Sequence, residues 1–234
     1  MLSHNTAALL NGYDAAETTD IHVTLPYDQW VRGRNGLVVH HGRFDEGDVL
    51  LRNGLPVLSV SATVTQLLCN QRRSVALACL DQVLAGLPTG SVAAFIADVR
   101  ARLEACHDRR GTVRAESLLC LGSPLAESVP ESKLRLLVLD AGFPTPTPQY
   151  EIRTLQGALL YRLDLGWPGL RIGLEYDGYA AHEQRAEYDA ERDRRMRERG
   201  WIMIRARKAD LADPAELVAQ LRAAFASRGY KMSP

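Results

Sequence analysis

No run of apolar residues in this chain approaches the roughly 18 needed to cross a bilayer, which excludes a membrane-spanning helix. Met1 to Leu10 lacks the basic stretch, long apolar block and small-residue cleavage site of a secretory signal, so a cytoplasmic protein without a membrane partner is expected. Net charge is missing as well. Lys and Arg total 28 against 28 Asp and Glu, so any attraction to nucleic acid must come from a local patch rather than the overall field. Cys69, Cys79, Cys106 and Cys120 include no CxxC pair, and settings such as LLC, ALAC and SLLC read as reduced core thiols. Cys106-His107 has no second pair to complete a zinc site and reads as structural. With 46% hydrophobic and 24% charged residues, the 234-residue chain has a globular composition and a length that suits two domains.

Residues 1–115 read as a mixed α/β region. Ser3 is expected to cap a helix to Leu10. Ile21–Leu25, Gly36–His41, Val49–Leu51 and Val57–Val60 read as strands, with Asn53-Gly54 as a turn. Helices are expected over Ser61–Leu68, Ser74–Ala85 and Ser91–Cys106. On a strand, His40 and His41 point to opposite faces, which argues against a shared ligand role. A Ser- and Pro-rich break over 122–130 precedes a second unit, residues 123–228, ordered α-β-β-β-α-β-α. Its elements are Glu131–Asp140, Tyr150–Thr154, Ala158–Leu165, Leu170–Asp177, Glu183–Arg199, Trp201–Ala206 and Pro214–Ser227. The fold class expected is therefore α/β (α+β).

Strand alternation points to the chemistry. In 159–165 the apolar positions 159, 161, 163 and 165 share one face, leaving Arg162 and Asp164 on the other. In 170–177 the positions 170, 172, 174 and 176 are apolar, leaving Glu175 and Asp177 opposite. If the short turn Gly166–Gly169 joins neighbouring strands, three carboxylates converge, and a divalent cation would relieve their repulsion. The same pattern also fits the solvated face of a hairpin, its acids paired to Arg162 and Arg171. On the charged helix, Arg185, Tyr188, Arg192, Arg195 and Arg199 form one stripe. Such a stripe fits a phosphate backbone with Tyr188 stacked on a base, or a solvated face laced by Glu191–Arg195 and Asp189–Arg192 pairs.

Pro124-Leu125, Glu131-Ser132-Lys133-Leu134-Arg135, Arg162-Leu163-Asp164-Leu165, Glu175-Tyr176-Asp177-Gly178 with His182, and Gly200-Trp201 with Arg205 together resemble the endonuclease domain of very-short-patch repair, within the PD-(D/E)xK superfamily. The resemblance implies a restriction-endonuclease-type core that hydrolyses phosphodiesters. Asp164 and Glu175 would hold Mg²⁺ or Mn²⁺, with Glu131 as the first helix's acid and His182 for proton handling. The superfamily's Lys is replaced here by Asp177, so the implied endonuclease is weak or decayed.

Residues 1–115 resemble AbiEi-type antitoxin-like proteins at Leu2-Ser3-His4, Ala7-Ala8-Leu9, Ile21-His22-Val23-Thr24 and Gly54-Leu55-Pro56-Val57. Their usual winged helix is not seen in these residues, so a reader-helix repressor is not expected. The partner expected is nucleic acid, DNA ahead of RNA. The alternative is a non-enzymatic regulator that binds DNA or a toxin protein and keeps the nuclease fold as scaffold.

Overall fold

The computed structural model describes residues 1–154, 156–178, 191–192 and 194–231. Its mixed helices and strands divide into two compact units, Met1–Pro124 and Leu125–Pro234. Among the described residues no helix is long and apolar enough to cross a membrane.

In the first unit, α1 (His4–Leu10) is followed by β1 (Ile21–Leu25) and β2 (Leu37–His41), which pair in parallel. The hairpin β3 (Val49–Arg52) and β4 (Leu55–Leu58) turns through Asn53 and Gly54, both at positive φ, the geometry that Asn-Gly favours. Helices α2 (Val60–Asn70), α3 (Arg73–Gly86), α4 (Val92–Ala105) and α5 (Thr112–Leu119) complete the unit. Two expectations are corrected. Ser3 makes no side-chain cap bond; its hydroxyl lies 3.1 Å from His4 Nδ1 instead. Val60 opens α2 rather than closing a strand, because Ser59 accepts the Ala62 amide and starts the helix there.

The second unit opens with α6 (Val129–Asp140), where Ser128 is the cap and Pro130 stands in the first turn, where a missing N–H costs nothing. A four-stranded sheet follows in the order β5-β6-β7-β8, formed by Thr147–Arg153, Leu159–Trp167, Ile172–Tyr176 and Ile202–Ala206. Strand β7 is antiparallel to β6 and parallel to β8, as a helical crossover between them requires. The described helical residues of that crossover, α7, are 191–192 and 194–198. Helices α8 (Lys208–Ala212) and α9 (Ala215–Ser227) end the unit.

Both faces of this sheet are apolar, and β8 shows the division by alternation. Ile202, Ile204 and Ala206 join Leu134, Leu165, Leu174 and Phe225, while Trp201 and Met203 join Ile152, Leu163 and Met196. A Cβ on Gly173 would lie 2.7 Å from Met203 Sδ and 2.8 Å from Leu163 Cδ1, so the residue is Gly because the second cluster closes over it. The single apolar face expected over 159–165 is thus corrected. Leu159 is exposed, and Leu163 and Leu165 belong to different clusters. The change of face falls at Asp164, opposite Gln149, whose φ of 50° breaks the regular pleat of β5. The turn into β7 is also later than expected: Gly166 and Trp167 remain in β6, and Arg171 takes the positive φ.

Candidate functional site

Asp164 lies in β6 and Glu175 in β7, and the register Leu165↔Leu174, carried one residue further, faces them across the pair. Asp164 Oδ2 accepts the Tyr176 amide at 2.7 Å. Burial pushes the Asp164 carboxyl up to about 6, with Glu131 and Glu175 adding to the rise against the pull of that amide and of Arg192. The third acid acting on Asp164 is therefore Glu131, from the helix. Asp177, the residue just past the end of β7, has its amide fixed to Ala206 O at 2.7 Å.

Glu131 is held from three sides. Its Oε1 accepts the Ser128 hydroxyl at 2.7 Å, and its Oε2 accepts the Glu127 amide at 3.0 Å and Gln149 Nε2 at 2.8 Å. The Ser-x-x-Glu spacing at a helix start explains the first contact. No sequence signal marks Gln149, which joins the helix acid to the irregular point of the sheet opposite Asp164.

Glu175 forms an ion pair with Arg192, both side chains being mostly buried, and the Arg192 guanidinium stands 5.5 Å from the centre of the Tyr161 ring. Of the stripe, Arg192 is thus turned to the acids. Arg195 donates to Glu191 at 2.7 Å and Arg199 Nη1 to Arg195 O at 3.0 Å, as in a helix laced by its own pairs. His182, Arg185 and Tyr188 lie outside the described residues. Arg162 donates to Glu127 at 2.6 Å, not to Asp164.

Hard carboxylate oxygens on neighbouring strands suit Mg²⁺ or Mn²⁺, and Asp164 and Glu175 are the residues that would hold such an ion. Among the described residues no three His, Cys, Asp or Glu side chains are gathered in one group able to hold a metal ion. With its carboxyl near 6, Asp164 also exchanges a proton close to neutral pH.

In the first unit, the His4 and His40 rings stack at 3.6 Å, and His22 Nδ1 lies 3.0 Å from His40 Nε2. Burial lowers the pKa of all three, His4 to about 3, so this is a neutral stack. His41 instead lies 3.3 Å from Pro26 O.

No family model matches the chain. No solved structure matches it. Two proteins of Mycobacterium tuberculosis do: "Uncharacterized protein MT2308" of strain CDC 1551 / Oshkosh and "Uncharacterized protein Rv2248" of strain ATCC 25618 / H37Rv, each 32% identical over 220 residues that span 92% of this chain and 78% of the relative. The chain belongs to the family of these two mycobacterial proteins.

Proposed function

We propose that the Leu125–Pro234 unit is a metal-dependent nucleic-acid endonuclease of the PD-(D/E)xK kind, with Asp164 and Glu175 as the cation ligands. The element order from α6 through β5, β6 and β7 to β8 and the closing helices, with β7 antiparallel to β6 and parallel to β8, supports this reading. The observation that carries it is the under-compensated carboxyl of Asp164, raised to about 6 beside Glu131 and Glu175. Bound there, Mg²⁺ would orient and ionise a water for attack on a phosphodiester. Glu131, clamped by Ser128 and Gln149, fixes the helix end against the site, and Arg192, whose charge acts on Asp164, is a cation available to a phosphate oxygen. The cytoplasmic setting and DNA as preferred substrate belong to this proposal.

The non-enzymatic reading is favoured by a different observation. Arg192 already neutralises Glu175, and Asp177 stands where the superfamily offers a lysine. On that reading the unit is a scaffold in a regulator that binds DNA or a toxin partner. The deciding experiment is cleavage of single- and double-stranded DNA and RNA by the purified chain with Mg²⁺ or Mn²⁺, beside Glu175→Ala. Metal-dependent cleavage abolished by Glu175→Ala supports the nuclease. Cleavage that survives the substitution, or none on any substrate, overturns it.

A further inference from the structure

An open cavity of about 720 Å³ lies in the first unit, and no part of the proposed nuclease chemistry uses it. Its size suits a small organic ligand. The cavity reaches round the end of β2, so His40 and His41, which point to opposite sides of the strand, both line it. The two sides offer different chemistry.

On one side stand the rings of Tyr27 and His41, 22° from parallel with their centres 6.4 Å apart. Rings in face contact, such as those of His4 and His40 at 3.6 Å, cover each other; at 6.4 Å they do not, and a ring face is left for a third planar group. The Pro26 carbonyl can only accept, so His41 Nδ1 donates to it at 3.3 Å and the His41 ring is held in place.

On the other side His4 and His40 form the wall. His22 Nδ1 and His40 Nε2, 3.0 Å apart, can share only one proton, so His22 and His40 cannot both be charged. His4 Nδ1 is taken by Ser3 Oγ at 3.1 Å. His4 Nε2 and His40 Nδ1 have no partner among the described residues, and each presents one donor or one acceptor according to its tautomer. The vicinal hydroxyls of a ribose, each both donor and acceptor, match such a pair in either tautomer. Gln66 fixes this wall, its Oε1 accepting the His4 amide at 3.2 Å and its Nε2 donating to Thr24 Oγ1 at 3.3 Å.

Charge decides against an ionic ligand. Arg43, Arg102 and Arg110 line the cavity together with Asp45, Asp48 and Asp108, and Arg102 is paired with Asp48 at 2.7 Å and Arg110 with Asp108. With the two signs balanced, neither a phosphate nor an ammonium group gains net attraction. A planar ring, neighbouring hydroxyls and no charge are the properties that the lining rewards.

We infer that this cavity is a binding site for an uncharged ribonucleoside, with the base on the Tyr27 and His41 rings and the ribose hydroxyls at the His4 and His40 wall.

The site stands apart from the proposed cation site, so its test needs no cleavage. Calorimetric titration of the intact chain with adenosine, guanosine, cytidine and uridine should reveal one site per chain, tightest for the purines because their larger ring face stacks better. Tyr27→Ala, at an exposed position, should weaken adenosine about tenfold with the circular dichroism unchanged, and Tyr27→Phe should restore it. Changing the ligand instead of the buried histidines tests the wall: 2′,3′-dideoxyadenosine should bind about tenfold more weakly than adenosine. 5′-AMP should bind no tighter than adenosine, and a short single strand of deoxyadenylate should not compete, which separates a free nucleoside from a base within a strand. No binding of any of the four nucleosides at about 1 mM overturns the site. So do full affinity in Tyr27→Ala, full affinity for the dideoxy compound, tighter binding of 5′-AMP, or displacement of adenosine by the strand.

Discussion

Arg192 is paired with Glu175 across the edge of the central acids, its guanidinium also standing 5.5 Å from the Tyr161 ring centre. One cation is therefore already placed where a divalent ion would compete for the same carboxylate, and the two should oppose each other. Arg192→Gln should tighten Mn²⁺ binding several-fold by calorimetry, because Glu175 no longer has to leave a partner. It should also cost about 1–3 kcal/mol of stability in metal-free buffer, since a mostly buried charge pair loses one member. Unchanged or weaker Mn²⁺ affinity would mean that Glu175 is not a ligand.

A second prediction concerns the first unit. Gly111, at φ 77°, starts α5, and a Cβ there would lie 2.3 Å from Cys69 O. The clash is with backbone, which cannot swing aside, and the left-handed conformation adds its own penalty for an L side chain. Gly111→Ala should therefore destabilise the chain by about 2–4 kcal/mol in urea denaturation. A loss under about 0.5 kcal/mol would mean that α5 does not pack on α2 so closely.

These cases show where a sequence stops being readable. Ser59, Ser128 and Asn53-Gly54 act through neighbours a few residues away, so the helices and the hairpin they start are legible locally. Helix α5 escapes, since its eight residues are short for a periodicity and its key glycine is fixed by Cys69, 42 positions earlier. The start of β5 at Thr147 escapes because Pro148 argues against a strand, yet β5 is the edge of its sheet, where a missing N–H goes unneeded. In the candidate site, alternation places Asp164 and Glu175 opposite each other. It cannot see the face change at Asp164, nor that Arg192, one of a stripe of arginines, turns inward to Glu175.

Gln149 supplies a third prediction, an order rather than a single value. Its positive φ costs about 1 kcal/mol for a side-chain-bearing residue, while its 2.8 Å bond to Glu131 returns about 1.5–3 kcal/mol. Gln149→Gly loses the bond but sheds the strain; Gln149→Ala loses the bond and keeps it. Stability in chemical denaturation should run wild type, then Gly, then Ala, with about 1 kcal/mol between the variants. Equal variants would place no strain at 149.

The last prediction follows from the raised carboxyl of Asp164. Its pKa is about 6 in the folded chain against an ordinary value near 3.8. Folding then favours the protonated acid. This contribution is fully present below about pH 3.8, and it is lost as pH rises through 6, where the folded chain must carry the charge beside Glu131 and Glu175. Asp164→Asn keeps an oxygen to accept the Tyr176 amide and never ionises, so it should escape that loss. At pH 8 without divalent ions the variant should be more stable than wild type, by on the order of 1–2 kcal/mol once partial exposure is allowed for, and the difference should vanish near pH 4. Adding Mn²⁺ at pH 8 should then stabilise the wild type and not the variant, because the ionised acid repels its neighbours until a cation is shared among them. A variant of equal stability at both pH values would remove the electrostatic strain on which the cation site rests. Equal stabilisation of both proteins by Mn²⁺ would place the ion somewhere other than Asp164.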